Sequence, residues 1–364
     1  MFGMRTGSRP VLRWAAPLAV IMVVAASGLM TSTAIAEPKL PPTTPEQLLV
    51  DLQNVSVEHL LGTVEQEANL GIPAIPAQSG SDNSEFNSLL TGKNRLGVWL
   101  SDPNKARVAL YGDLGESDVI TNGTDLWTWS SQQNKATHAT VPEDTGPQTP
   151  GPTPSDLPKT PQEAAQRVLQ SVGPTTDLSV ESAVTVAGRP AYDLVLRPRD
   201  QGSLLSEARL AVDGDTHLPL KVEVFAGDTS VFRVSYTEID FAQPDAKLFT
   251  FTPPPGAEVT EVSPKADGEE SKRPTPDSAH EPKVVGEGWT SVVIRETSAE
   301  DSSGSSPGAD DQLQAFLQQL PTVSGSWGSG RLLAGTAFTA VFTDDGRLAI
   351  GSVAPDVVYA ALEK

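Results

Sequence analysis

"ARLAVDGDTHLPLKVEVFAGDTSVFRVSYTEIDF", residues 208–241, is three alternating runs separated by turn signals at Asp213-Gly214-Asp215 and Gly227-Asp228. Period-two alternation puts successive side chains on opposite faces of a strand, and connections this short make neighbouring strands antiparallel. The charges choose the faces. Lys221 and Glu223 belong to solvent, so Leu220, Val222 and Val224 point inward; Phe232, Val234 and Tyr236 alternate against Arg233 and Ser235 in the same way. Leu210 and Val212 take the inward side of the first run.

Working outward, the pattern persists. In "PAYDLVLRP" Tyr192, Leu194 and Leu196 oppose Asp193 and Arg197. Upstream, Leu60, Val64, Ala68 and Leu70 share a face, as do Leu96, Val98 and Leu100, and a strand from Arg107 to Tyr111 follows the turn at Asp102-Pro103-Asn104. "NGTDLWTW" supplies a hairpin turn at Asn122-Gly123 and sets Trp127 and Trp129 on one side of the next strand, either the concave side of the sheet, which is favoured, or the convex side under the Pro-rich loop that follows. "SAVTVAG" and "KLFTFTPPPGA" read as further strands. The sum is a mainly β, α+β fold with a meandering antiparallel sheet of about ten strands, long enough to curl and so to present a concave side.

Two helices are available to cover that side. Thr44-Pro45-Glu46-Gln47 and Thr160-Pro161-Gln162-Glu163 each place threonine at an N-cap, proline at the first helical position and Gln or Glu where a capping box needs it. The first runs to about Asn54 with Leu48, Leu49 and Leu52 on one face; the second runs to about Val172 and presents Val168, Leu169 and Val172. They form a helical lid. The inward residues could be a plain core, but two short helices over so many strands leave the sheet under-filled, which favours a hydrophobic cavity. Its expected lining is Val64, Leu70, Val98, Leu100, Trp127, Trp129, Tyr192, Leu194, Leu196, Leu210, Val212, Leu220, Val222, Val224, Phe232, Val234 and Tyr236. Residues 78–93 read either as a disordered loop or, from Phe86, Leu89 and Leu90 at helical spacing, as a short amphipathic flap at its mouth.

Composition divides the rest of the chain. Arg5, Arg9 and Arg13 precede an apolar run from Ala15 to Met30 and the small-residue sequence Ala34-Ile35-Ala36, the layout of a signal peptide over residues 1–36 or of an uncleaved anchor. Either way, the remainder is extracytoplasmic. Residues 37–258 make the half-barrel domain, with a Pro-rich loop at 141–158. Residues 259–283 are charged and Pro-rich and read as a disordered linker. Residues 284–364 read as a small two-layer α+β module, with a strand in "GWTSVVIRE", a helix in "DQLQAFLQQL", a hairpin closed at Asp345-Gly346 and a final helix in "PDVVYAALEK".

Chemistry is sparse. There is no cysteine, which excludes disulfides, thiolate metal sites and a lipid-acceptor thiol. Lys+Arg number 26 against 46 Asp+Glu, a net charge of −20 that opposes nucleic-acid binding and becomes −23 without the three signal arginines. His59, His138, His217 and His280 are scattered at no ligand or triad spacing, and Asp213-Gly214-Asp215 and Asp344-Asp345-Gly346 are turns without the donor count of a calcium loop. "SGSWGSGR" is neither a nucleophile elbow nor a phosphate loop. Glu116 and Asp118 could act as acid and base, but nothing in the sequence orients them. The expectation is a binding protein with no metal, no cofactor and no enzymatic activity.

The chain resembles the superfamily of LolA-like and LppX-like lipoprotein and lipid carriers, which includes the N-terminal domain of the envelope-stress regulator RseB (MucB). Its nearest look is to exported actinobacterial members with an added C-terminal module. The resemblance rests on the order of the helix from Thr44, "GTVEQEANLGIP", "VWLSDPNKARVAL", "NGTDLWTW", "GRPAYDLVLRP", "VDGDTHLPLKVEVF" and "FTPPPGAEV" across residues 38–260. It implies a half-barrel around a helical lid, with a cavity for the acyl chains of a lipid or acylated lipoprotein, and a carrier or chaperone role in the cell envelope. The RseB-like branch implies the alternative, a sensor that binds a single-pass membrane protein such as an anti-sigma factor. The carriers' lid-closing arginine is assigned to no position here, and the C-terminal module departs from a simple shuttle.

Overall fold

The computed structural model describes residues 40–53, 55, 57–72, 88–89, 91–101, 104–112, 115–140, 160, 175–262, 282–296 and 315–364. The expected signal segment 1–36, the Pro-rich loop and the second lid helix with Val168, Leu169 and Val172 lie outside these residues. The strands of the main sheet are β1 (His59–Asn69), β2 (Thr91–Ser101), β3 (Lys105–Tyr111), β4 (Glu116–Asn122), β5 (Asp125–Ser130), β6 (Lys135–Thr140), β7 (Thr176–Val186), β8 (Arg189–Pro198), β9 (Glu207–Asp213), β10 (Pro219–Ala226), β11 (Thr229–Asp240) and β12 (Glu258–Val262).

They form one open sheet in the order β12-β6-β5-β4-β3-β2-β1-β11-β10-β9-β8-β7. Two meanders, β1 to β6 and β7 to β11, are thus joined back to back along β1 and β11. The sheet has twelve strands where about ten are expected. The added edge strand β12 runs parallel to β6, opposite Lys135 to Ala139, and occupies the start of the stretch read as linker. All its side chains are exposed, so it owes its place to backbone pairing and left no alternation in the sequence. The expected strand in "KLFTFTPPPGA" is instead a 3-10 turn, Ala246–Phe249, capped by the Asp245 carboxylate on the Lys247 N–H and followed by a proline run that cannot donate to a ladder.

Register aligns the inward residues into rows. Val64 stands between Leu96 and Tyr236, Val98 faces Val108, Val222 lies between Leu210 and Val234, and Leu194 lies between Leu210 and Val180. Irregularities at Thr63/Val64, Val224/Phe225 and Glu181/Val184 shift the pairing and add local twist.

A second sheet has the order β13-β14-β18-β17-β16-β15, from β13 (Lys283–Val285), β14 (Val292–Glu296), β15 (Thr322–Gly325), β16 (Gly328–Ala334), β17 (Thr339–Thr343) and β18 (Arg347–Gly351). Helix α2 (Pro355–Leu362) packs Val358, Ala361 and Leu362 against it, and Trp327 stacks on Tyr359 at 5.6 Å. Both sheets belong to one compact unit, Pro38–Lys364. Ser203 bridges to Val353, the Trp289 indole N–H donates to Thr176 Oγ1 at 2.8 Å, and the Thr336 N–H donates to the Leu70 carbonyl at 2.8 Å.

Candidate functional site

Helix α1 (Pro45–Gln53) starts as its capping residues dictate: the Thr44 hydroxyl accepts from the Gln47 N–H at 3.2 Å and the Thr44 carbonyl from the Leu48 N–H. Its apolar stripe then meets the sheet. Leu48 is fully buried, with Leu49 and Leu52 packed beside it. Polar ties hold its flanks: the Tyr192 hydroxyl donates to the Pro41 carbonyl at 3.0 Å, and Asp51 lies 3.8 Å from His217.

Beneath α1 lies one continuous apolar cluster. It gathers Val64, Val98, Tyr192, Leu194, Leu196, Leu210, Val212, Leu220, Val222, Phe232, Val234 and Tyr236, with Leu70, Leu100 and Val224 packed against it. A buried glutamine interrupts this face. Gln66, 1% exposed, donates to the Leu89 carbonyl and accepts from Asn94, each at 2.8 Å, which pins residues 88–89 and buries Leu89 in the cluster. Leu89 is thus a core residue, while Phe86 and Leu90 lie outside the described residues.

Trp127 and Trp129 are a correction. The inward row continues from Leu96 and Val98 through Leu110 and Val108 to Ser117 and Val119, and then to Ser130 and Thr128. The tryptophans alternate with the last two and therefore occupy the reverse face, outside the apolar cluster. The reason is that the sheet changes its covered side near β4: Thr128 is exposed on the inward face, whereas Ile120, Asp118 and Ala136 are buried on the reverse. There the 3-10 turn packs against β3 and β4, and Phe251 leans on Trp127 and Trp129 at 5.3 and 5.6 Å. A strand that reads as one-sided in sequence is covered from the other side by residues more than a hundred positions later.

This reverse face concentrates the polar chemistry. Arg107 Nε donates to Asp118 at 2.7 Å and its Nη2 to Glu116 at 2.9 Å, so the acidic pair is oriented after all, by a cation on the neighbouring strand. The guanidinium also lies over Trp99, 5.4 Å from the ring centre. Asp118 is 2% exposed; loss of hydration and the nearby Glu116 charge outweigh Arg107 and hold its carboxyl up at about 6. His138 stacks on Trp127 at 4.1 Å and contacts Asp125 and Glu261 at 2.9 and 2.7 Å, which raises its pKa. Arg107, Glu116, Asp118, Tyr111, Trp129 and Phe251 border an open cleft of about 530 Å³. The cross-strand spacing of Arg107 from Asp118 is the signal that could have found it, once β3 and β4 are paired.

Among the described residues no group of three or more His, Asp or Glu side chains is arranged to hold a metal ion, and no helix is long and apolar enough to cross a membrane.

No protein-family model and no curated protein matches the chain. Among solved structures it is similar to the Pseudomonas aeruginosa MucA/MucB complex, with 16% identity, 87% of this chain and 96% of that one covered, and a TM-score of 0.42. It is also similar to an uncharacterized conserved protein from Thermus thermophilus, with 14% identity, 60% and 98% coverage and a TM-score of 0.33. A LolA superfamily protein from Nitrosomonas europaea matches at 12% identity, 58% and 99% coverage and a TM-score of 0.20. The solved structures similar to this chain thus include a LolA superfamily protein and MucB.

Proposed function

We propose that this chain is an exported, non-enzymatic binding protein of the cell envelope that shelters the acyl chain of a lipid or an acylated lipoprotein against the apolar face of its main sheet, beneath α1. One observation carries the reading: the apolar cluster extends from β3 to β8 and takes in Val186 of β7, and among the described residues α1, residues 88–89 and the single side chains Leu40, Val55, Val57, Phe241 and Trp289 pack against it. Helix α1 is tied at its flanks by the Tyr192–Pro41 hydrogen bond and a long Asp51–His217 contact, and these can part without unpairing a strand. The chemistry needed is modest. A dozen buried methylenes contribute roughly 10 kcal/mol gross at about 0.8 per CH₂ before ordering costs, so affinity requires no catalytic group. Export rests on the layout of residues 1–36.

Native mass spectrometry of the mature protein purified from its own host, followed by organic extraction, tests the proposal. Bound phospholipid or an acylated polypeptide is expected. Protein that arrives empty and stays empty in the presence of phospholipid vesicles would sink it. A second reading, a sensor that engages a single-pass membrane protein, is favoured by the way the second sheet is fastened to the first at Trp289, Ser203 and Leu70, which a simple shuttle does not need. An empty protein that pulls down such a partner only when residues 284–364 are present would establish that reading instead.

A further inference from the structure

The cleft on the reverse face of β3 to β5 is separated from the apolar cluster by the thickness of the sheet, and the acyl-binding proposal makes no use of it. Its walls are aromatic: Trp129 and Phe251 on one side and Tyr111, 41% exposed, on the other. Its floor carries one cation and two carboxylates, and these are only partly engaged with each other. Arg107 commits Nε to Asp118 and one Nη2 hydrogen to Glu116, while its Nη1 makes no hydrogen bond among the described residues. The Glu116 side chain is 37% exposed and opens on the cleft.

The chemistry discriminates among ligand classes. An anion meets two carboxylates against one guanidinium. A free cation finds the place between the carboxylates already taken by Arg107. A purely apolar ligand would strip water from the two charged groups that still hold it, Arg107 and Glu116, and return no hydrogen bonds, at a cost of several kcal/mol. A neutral ring with an apolar face and a rim of hydroxyls meets none of these penalties. Its C–H face lies on Trp129, Phe251 or Tyr111, and adjacent hydroxyls accept from Arg107 Nη1 and donate to Glu116. We propose that this cleft is a saccharide-binding site. It is independent of the acyl-chain reading, because its groups project from the opposite face of the sheet.

The full mature chain would be titrated with a panel of neutral tetrasaccharides (cellotetraose, maltotetraose, mannotetraose and tetra-N-acetylchitotetraose), with saturation-transfer NMR and calorimetry as readouts. At least one is expected to bind, with saturation strongest on ring C–H protons. Glu116→Gln keeps the shape and removes the charged acceptor; it is expected to weaken binding about tenfold. Trp129→Leu is expected to abolish the C–H saturation, and should that variant fail to fold, Arg107→Lys, which keeps the charge and loses the fork, replaces it. The proposal is overturned if no member of the panel binds, if binding persists unchanged in both variants, or if tetramethylammonium displaces the sugar. Bound lipid, measured on the same Glu116→Gln preparation, reports on the sheet's other face and separates failure of one proposal from failure of the other.

Discussion

At the scale of single residues, two titrating groups on the reverse face give pH signatures of the same sign in different windows. His138 is held between the Asp125 and Glu261 carboxylates, and the hydrogen bond to Asp125, with help from Glu261, raises its pKa above the usual value. A raised histidine contributes stability that is fully present below about 6.5, the ordinary value, and is lost as pH rises through the folded-state value. His138→Gln should therefore lower the melting temperature more near about pH 6, where on the order of 1 kcal/mol of ion pairing adds to the loss, than near about pH 9, where only the stacking on Trp127 is lost. Asp118 has the same sign at lower pH. Its carboxyl is held up at about 6, so in the window between that value and the ordinary one near 3.8 the folded state keeps a proton the unfolded state releases, and stability rises as pH falls. Asp118→Asn should flatten the dependence of melting temperature on pH across that window, as followed by thermal melts in a buffer series. Glu116 and Asp118 were visible in the sequence as an acidic pair, but Arg107 was not visible as their partner. The three come together only through the pairing of β3 with β4, which sets Arg107 opposite Ile120, diagonal to Asp118.

At the scale of elements, α1 and the paired strands from β8 to β11 are nearly complete in the sequence, because each carries its own signals: a threonine cap with proline behind it, strict alternation, and turns at Gly214 and Gly227. Leu48 is the buried anchor of α1, and truncating it leaves a cavity beneath the helix. Leu48→Ala should destabilise the protein by about 3 kcal/mol in denaturant titrations followed by circular dichroism. On the acyl-binding proposal the same variant should also retain less lipid through purification. β12 is the contrasting case. With every side chain exposed it has no pattern to read, and its place comes from the β6 edge, from the Asn134 side chain that donates to the Gly256 carbonyl and from His138 reaching Glu261. Charging or replacing its valines should cost little, whereas a proline at Thr260, which would remove a ladder donor, should raise hydrogen exchange in β6.

At the scale of the whole molecule, the C-terminal module is fastened to the end of the main sheet, with Trp289 packed at the border of the apolar cluster and bonded to Thr176. Trp289→Ala should cost about 2 kcal/mol and loosen β7, seen as faster hydrogen exchange at 176–180 while α2 and its sheet keep their protection. What the sequence determined alone is whatever depends on local periodicity and backbone chemistry: that the chain is mainly β, which side chains of β1, β2 and β8 to β11 face inward, where α1 begins, and that no thiol chemistry is available. Tertiary structure alone decided which side of each strand is covered. Alternation fixes that two residues share a face, as Trp127 and Trp129 do, but burial is set by whatever segment lies on top, and that segment can come from anywhere in the chain. Residues 246–251 cover the reverse of β3 to β5, so the Arg107 triad and the cleft stand back to back with the apolar face, and on their side stand the two tryptophans that the sequence reading placed in that face.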